Sequence, residues 1–354
     1  MTVADPTNTL RRSDIESARA QLWLSCLVFA IVGLAVVVAQ VMVRHDQWLL
    51  YPRLELWKQA NQTYVDGRFY PNTSERNLYN VLPDTDCSRG GVYFVGSSPT
   101  EQALMSWAFP AELQPVRNYS FAGARYTTES RFVHCLVEEH HVLAAGGDKT
   151  LVVLELSFAD TPHDATPMQI YMDDVWSGYF TRYGLYEFDD REQLHMTAMS
   201  PLRRRFEIES LRTHVFWSWL FRKDEFLKPP AGATDMEVRQ NWMDRMGPQW
   251  ESGMDAELQA LGQLIDYLKA HHADVAAVYF PQPTWESTFA PALRFRERIM
   301  PLMAAKAVPV VDLIHQFPDS FFVDSVHLNY QGSAAIQPFL IELARQHFEK
   351  HRRQ

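Results

Sequence analysis

A serine becomes a useful nucleophile when a neighbouring base takes its proton. Two short segments of this chain carry residue types suited to that. The first is Phe94-Val95-Gly96-Ser97-Ser98-Pro99-Thr100, where an apolar run ends at a glycine and two serines. At a strand-to-helix turn a hydroxyl stands clear of the sheet, and the backbone N–H groups of the helix start face an incoming anion. Gly96 permits the sharp bend. Capping is the commoner role of serine at such a place; Ser97 suits it, and Ser98 is the candidate nucleophile. The second segment is Phe322-Val323-Asp324-Ser325-Val326-His327-Leu328-Asn329, followed by Gln331-Gly332. Histidine is the natural base, because its unperturbed pKa lies near neutrality. Its second ring nitrogen needs an acceptor to fix tautomer and orientation. Asp324, three positions earlier, can reach the imidazole of the same turn. Read alone, Asp-x-x-His is as well explained by a surface turn or by a helix cap.

Other chemistry-bearing residues are less promising. The adjacent pairs His140-His141 and His271-His272 would point about 100° apart on a helix. They lack carboxylate or cysteine partners at ligand spacing. Gly146-Gly147-Asp148 is a turn rather than a phosphate loop, since no Lys-Ser/Thr follows. The acidic pairs Asp173-Asp174 and Asp189-Asp190 read as solvated faces. The sequence therefore implies no metal and no organic cofactor.

Positioning Ser98 against His327 requires a scaffold, and the apolar runs supply one. Residues 91–95, 151–156, 275–280 and 308–313 are short, rich in β-branched side chains and bounded by breakers. Strands covered on both faces read this way. Helical stretches are expected at 100–107, 127–145, 255–270, 290–305 and 333–351; in the third, Leu258, Leu261, Leu264, Ile265 and Leu268 recur at helical spacing. Strands alternating with helices predict an α/β fold, a mainly parallel sheet with helices on both faces. Chemistry in such sheets gathers at the carboxyl ends of the strands. Residues 161–250 break the rhythm with Tyr171-Met172-Asp173-Asp174-Val175-Trp176 and Val215-Phe216-Trp217-Ser218-Trp219-Leu220-Phe221. This reads as a helical insertion: a lid, a partner surface, a membrane-facing surface, or ordinary helix packing.

From Leu22 to Val43 the chain has no charged residue. That is the length of a membrane-spanning helix, and longer than the ~7–15 apolar residues of a signal peptide. The expected layout is a tail at 1–21, an anchor at 22–43, a membrane-proximal neck at 44–90 and a catalytic domain at 91–354. The neck carries the turn signals Asp66-Gly67, Pro71-Asn72 and Pro83-Asp84. Arg11, Arg12 and Arg19 precede the span, while Arg44 and Arg53 follow it. This modest bias favours the N-terminus inside and the body outside, hence a single-pass protein of the inner membrane with a periplasmic domain. A net charge of -10 argues against nucleic acid as a partner. With 47% hydrophobic residues, a packed core is expected. Cys87 and Cys135 are the body's two cysteines; a disulfide and two buried thiols both remain open.

Together, Gly96-Ser97-Ser98 and Asp324-Ser325-Val326-His327-Leu328-Asn329-Tyr330-Gln331-Gly332 resemble the SGNH (GDSL-like) hydrolase superfamily. There the nucleophile follows the first strand in a Gly-Asp-Ser-type motif, and Asp-x-x-His comes near the C-terminus. The resemblance implies a three-layer sandwich with Ser98 as nucleophile, Asp324 as orienting acid and His327 as base. It also implies an oxyanion hole built from the backbone N–H groups of Ser98 and Gly123, the glycine of Asn118-Tyr119-Ser120-Phe121-Ala122-Gly123-Ala124 that follows the second strand. Two departures stand out. Ser97 replaces the usual Asp, and the family's Gly-x-Asn-Asp is absent from Glu155-Leu156-Ser157-Phe158-Ala159-Asp160. Ser157 or another group would have to substitute for the missing Asn.

With a single N-terminal anchor, these features look like the membrane-anchored branch. That branch includes the D-alanyl transfer protein of teichoic-acid modification and the acetylation proteins of exported polysaccharides. The resemblance covers roughly residues 90–160 and 270–345. It implies an O-acyltransferase that modifies an envelope polysaccharide or polymer alongside a multispanning membrane-bound O-acyltransferase. The alternatives are an esterase or deacylase with the same triad, and a non-catalytic scaffold for such a partner.

Overall fold

The structure is a computed structural model that describes residues 6–44, 90–121, 123–143, 149–162, 184–210, 235–322 and 324–352. The chain divides into two compact units, Met1–Arg53 and Leu54–Gln354. In the first, α1 (Pro6–Arg44) is a single helix of 39 residues. Its segment Ile15–Val38, 24 residues, is long and apolar enough to cross a membrane. At ~1.5 Å per residue it exceeds the ~30 Å hydrocarbon core. Trp23, Leu24, Phe29 and Leu34 on this helix are exposed, as side chains meant for a lipid surround would be. The neck lies outside the described residues.

The second unit is built on a parallel sheet. Its strands are β1 (Val92–Val95), β2 (Val116–Asn118), β3 (Leu151–Leu156), β6 (Asp274–Tyr279) and β7 (Val310–Asp312). Their order is β2-β1-β3-β6-β7, and every pairing is parallel. Because successive side chains alternate faces, each strand feeds two cores. Tyr93, Val95, Val152, Leu154, Leu156, Val275, Ala277 and Tyr279 pack on one side. Val92, Phe94, Leu151, Val153, Ala276 and Val278 pack on the other.

Helices cover both faces. On the first side lie α3 (Tyr126–Glu138), α5 (Trp250–Ala270) and α6 (Ala290–Ala305). They bury Phe132, Leu136, Leu261, Leu264, Ile265, Phe295 and Ile299 against the sheet. On the second side, α2 (Ser98–Ala103) and α7 (Tyr330–Arg352) contribute Ala103, Ile336, Leu340 and Ala344. This is the three-layer α/β architecture expected from the apolar runs.

Three local differences have physical causes. β2 has only three residues, too short for a periodicity to register. β7 is half-buried, because it is the sheet's edge strand and lacks cover on one flank. α3 ends at Glu138 rather than running to 145, and His141 follows in the left-handed region at φ 55, where a helix stops. The expected helical insertion does contain helix, at residues 201–210 and in α4 (Asp235–Met246). It also carries an antiparallel hairpin, β4 (Tyr186–Phe188) with β5 (Leu194–Met196). Its turn is organised by Asp189, whose Oδ1 accepts the N–H groups of Arg191 and Gln193 at 2.9 and 2.7 Å. Asp173-Asp174 and the aromatic stretches at 171–176 and 215–221 lie outside the described residues, as do Gly146-Gly147-Asp148. Cys135 is a buried free thiol, and Cys87 is outside the described residues.

Candidate active site

The carboxyl ends of β1, β2 and β3 lie side by side, and the candidate residues emerge there. β1 stops at Val95, Gly96 and Ser97 turn the chain, and Ser98 is the first residue of α2, with Pro99 behind it. Proline suits that position, since an N–H there would lack an intrahelical partner. Leu154 of β3 is in register with Val95, which brings Glu155 against the turn. Buried Glu155 accepts the N–H groups of Ser97 and Thr100 on Oε2, both at 3.0 Å, and the Ser97 hydroxyl on Oε1 at 3.2 Å. Ser97, expected to cap the helix with its own side chain, makes no such cap; Glu155 does it from the neighbouring strand. The Glu101 N–H goes to the Ser97 carbonyl at 2.9 Å. Among the described residues the Ser98 N–H is thus the uncommitted donor of the turn. Gly96 is required by this packing: a Cβ there would stand 2.4 Å from Glu155 Oε2 and 2.5 Å from Glu155 Cβ.

Asp324 and His327 sit in the loop between the short 3-10 turn Asp319–Phe321 and α7. An antiparallel bridge between Phe322 and Leu328 pinches the loop. The Trp285 indole N–H holds it from outside, donating to the Ser325 carbonyl at 2.9 Å. Asp324 Oδ1 accepts the backbone N–H groups of Val326 and His327 at 3.1 and 2.9 Å. The carboxylate also faces His327 Nδ1, at 2.9 Å from Oδ1 and 2.8 Å from Oδ2. The other ring nitrogen, Nε2, lies 2.7 Å from Ser98 Oγ. The His327 side chain is 13% exposed and that of Asp324 24%, so the dyad is shielded without being sealed off. The rest of the segment has structural duties. Asn329 Oδ1 accepts the Gly332 N–H at 3.0 Å, its Nδ2 donates to the Ser320 carbonyl at 2.7 Å, and its N–H donates to the Phe321 carbonyl at 2.8 Å. A Cβ on Gly332 would meet that Phe321 carbonyl oxygen at 2.5 Å.

The structure therefore brings Ser98, His327 and Asp324 into one hydrogen-bonded line. Gly123 lies in the loop after β2, half-buried and with φ 72. That loop is laced to the serine turn by the Phe121 N–H, which donates to the Gly96 carbonyl at 3.2 Å. Ser157 follows β3, but its groups are engaged elsewhere. Its N–H and carbonyl both pair with the Tyr126 hydroxyl at 3.1 Å, and its Oγ accepts the Ala159 N–H at 3.1 Å. The histidine pairs have other partners too: His140 Nε2 bonds the Tyr186 hydroxyl at 2.7 Å, and His271 Nδ1 the Tyr267 carbonyl at 2.9 Å.

Behind the serine turn lies a feature the motifs did not announce, a group of buried acids. Glu129, Glu155, Asp160 and Glu257 are all at most 1% exposed. Burial first, then the charges of Glu155 and Glu257, pushes the Glu129 carboxyl well above the usual carboxylate range. Burial and the charges of Glu155 and Glu129 do the same to Asp160. Burial raises Glu155 as well, but the hydrogen bonds from Thr100 and Ser97 oppose the rise. Burial thus disfavours charge on Glu129 and Asp160, while the hydrogen bonds from Thr100 and Ser97 favour it on Glu155. The available signal was a lone glutamate inside the otherwise apolar run Leu151–Leu156.

No protein-family model matches the chain, and no curated protein matches it. Among solved structures it is similar to a "putative acylhydrolase" from Bacteroides fragilis at 12% identity and a TM-score of 0.39, over 77% of this chain and 94% of that one. A likeness that remote carries no argument about activity.

Proposed function

We propose that the chain is a membrane-anchored, extracytoplasmic serine enzyme of acyl transfer, with Ser98 as nucleophile, His327 as base and Asp324 as its orienting acid. The observation that carries this reading is the 2.7 Å contact between Ser98 Oγ and His327 Nε2, with Asp324 on the far side of the ring. His327 takes the Ser98 proton as Oγ attacks an acyl carbonyl. Asp324 stabilises the imidazolium that forms. The N–H groups of Ser98 and Gly123 stabilise the tetrahedral oxyanion. Collapse expels the first alcohol, which receives the proton from His327, and leaves an ester on Ser98. An incoming hydroxyl then gives its proton to His327, attacks that ester and restores the serine. We assign the incoming hydroxyl to a sugar or polyol of an envelope polymer, with a multispanning O-acyltransferase as the acyl source. The apolar helix α1 supports a membrane setting, and the resemblance of the two motifs supports the reaction class.

The test uses the full-length chain in detergent with a fluorophosphonate probe, followed by acyl-ester turnover with and without an added polyol. Intact mass should show one adduct on wild type and none on Ser98→Ala. His327→Ala should label at least about 10³-fold more slowly. A polyol that diverts product from the free acid to its ester marks transfer; product that remains free acid marks an esterase. A folded wild-type chain that takes no label defeats the proposal and leaves a non-catalytic scaffold.

A further inference from the structure

At the opposite end of the sheet from Ser98, three side chains converge without any part in the chemistry above. Asp274 opens β6. His347 and His351 lie four positions apart on α7, and so project from one face of the helix. Oδ2 of Asp274 stands 3.1 Å from His347 Nδ1, 3.0 Å from His351 Nε2 and 3.4 Å from Lys350 Nζ. The two imidazoles are close neighbours, with ring centroids 4.6 Å apart, and one ligand atom from each of the three residues falls within a 4.8 Å sphere of the others. His347 is buried, whereas Asp274 and His351 are half-buried, which leaves a side open to solvent.

As a pure ion-pair cluster this arrangement is poor. It crowds two imidazole nitrogens and an ammonium onto a single carboxylate oxygen, at 3.1, 3.0 and 3.4 Å. A metal ion uses the same positions with neutral imidazoles. Zinc binds nitrogen and carboxylate oxygen at ~2.0–2.2 Å in tetrahedral geometry, so neighbouring ligand atoms should stand ~3.3 Å apart. The 3.0 and 3.1 Å separations here are close to that edge. Histidines at i and i+4 on one helix are a recurring zinc-binding arrangement. We propose that Asp274, His347 and His351 bind a divalent transition metal of the zinc type, with the fourth position open to water. The exposed Lys350 ammonium serves as the counter-cation when the metal is absent.

The role is structural. α7 begins three residues after His327 and runs 23 residues, ~34 Å at ~1.5 Å per residue, to this site. Its first turn is fixed by Asn329 and its last turns would be stapled to β6 by the metal. The site thus anchors the far end of the helix whose near end carries the Asp324–His327 loop.

The experiment uses full-length, untagged, chelator-stripped protein in detergent, titrated with Zn2+ and, separately, with Co2+. Wild type should bind about one equivalent of Zn2+, gain thermal stability, and give the visible d–d bands of four-coordinate Co2+. His351→Ala should weaken binding at least ~100-fold, since loss of an outer-shell partner alone can cost that much. Lys350→Ala, which alters only an exposed side chain, should tighten it by removing a competing cation. His327→Ala should bind as wild type does. Absence of saturable binding at up to millimolar Zn2+, affinity unchanged in both His351→Ala and Lys350→Ala, or binding lost in His327→Ala would each overturn the proposal.

Discussion

Replacing Glu155 with alanine removes the one side chain that caps the serine-bearing helix. Two buried N–H groups, of Ser97 and Thr100, lose their acceptor, each now 3.0 Å from Oε2, and the Ser97 hydroxyl loses a third contact. An unsatisfied buried donor costs about 1–3 kcal/mol, so the two N–H groups together put the loss at about 2–6 kcal/mol. That is a large part of the ~5–15 kcal/mol by which a domain is stable. Glu155→Gln separates hydrogen bonding from charge. Its amide oxygen can accept both N–H groups, and its NH2 can donate to the Ser97 hydroxyl. Its cost should be limited to the difference between charged and neutral acceptors, about 1 kcal/mol per bond. The assay is thermal unfolding of the full-length protein alongside the rate of fluorophosphonate labelling at Ser98. Glu155→Ala should unfold well below wild type and label about 100-fold more slowly, the effect of a roughly 1 Å misplacement of a reacting group. Glu155→Gln should fall between the two in stability and label at close to the wild-type rate. If Glu155→Ala matched wild type in stability and labelling, the capping role would be refuted.

Gly96→Ala should destabilise and suppress labelling together, because its Cβ would fall 2.4 Å from Glu155 Oε2; overpacking of this kind costs about 1–3 kcal/mol, readable as a lower unfolding midpoint. Burial, then the charges of Glu155 and Glu257, raises the Glu129 carboxyl in the fold, while the unfolded chain releases that proton above about pH 4.3. Its contribution is therefore fully present below that pH and declines as pH rises through the raised folded value, by up to ~1.4 kcal/mol per unit. Glu129→Gln should gain on wild type in melting temperature from about pH 5 to about pH 7, and a difference that stayed constant would count against the assignment. Trp285→Phe keeps an aromatic ring but deletes the 2.9 Å hydrogen bond to Ser325, at about 1 kcal/mol, and some of the packing on Phe158 and Phe289. It should slow labelling of Ser98 as well as lower stability, because the bond restrains the loop of Asp324 and His327. Equal labelling rates would remove Trp285 from the positioning of that loop.

Much of the scaffold was legible because its signals are local. A run such as Leu151-Val152-Val153-Leu154 advertises a buried strand, and Leu261, Leu264, Ile265 and Leu268 advertise the face of a helix. The residues of the site were legible for a different reason: Asp324 and His327 are three apart, so their partnership is written in one turn. What escaped notice depends on distance along the chain. Glu155 reads as a misfit in its strand until Ser97, 58 positions away, is seen to need an acceptor. Asp274 meets His347 across 73 positions, with no spacing to betray it. The hairpin of β4 and β5 has three-residue strands, shorter than an alternation needs to declare itself.

The bond between Ser98 and His327 joins residues 229 positions apart. A chain made only as far as residue 320 already holds the serine, its glutamate cap and all five strands of the sheet. It holds no base, and a serine hydroxyl without one is a weak nucleophile. Under the proposed function, reactivity waits on Asp324 and His327, made long after the serine they serve. On that proposal, a ribosome that stalls before residue 324, or a protease that cuts there, yields a protein with a serine in place and nothing to awaken it.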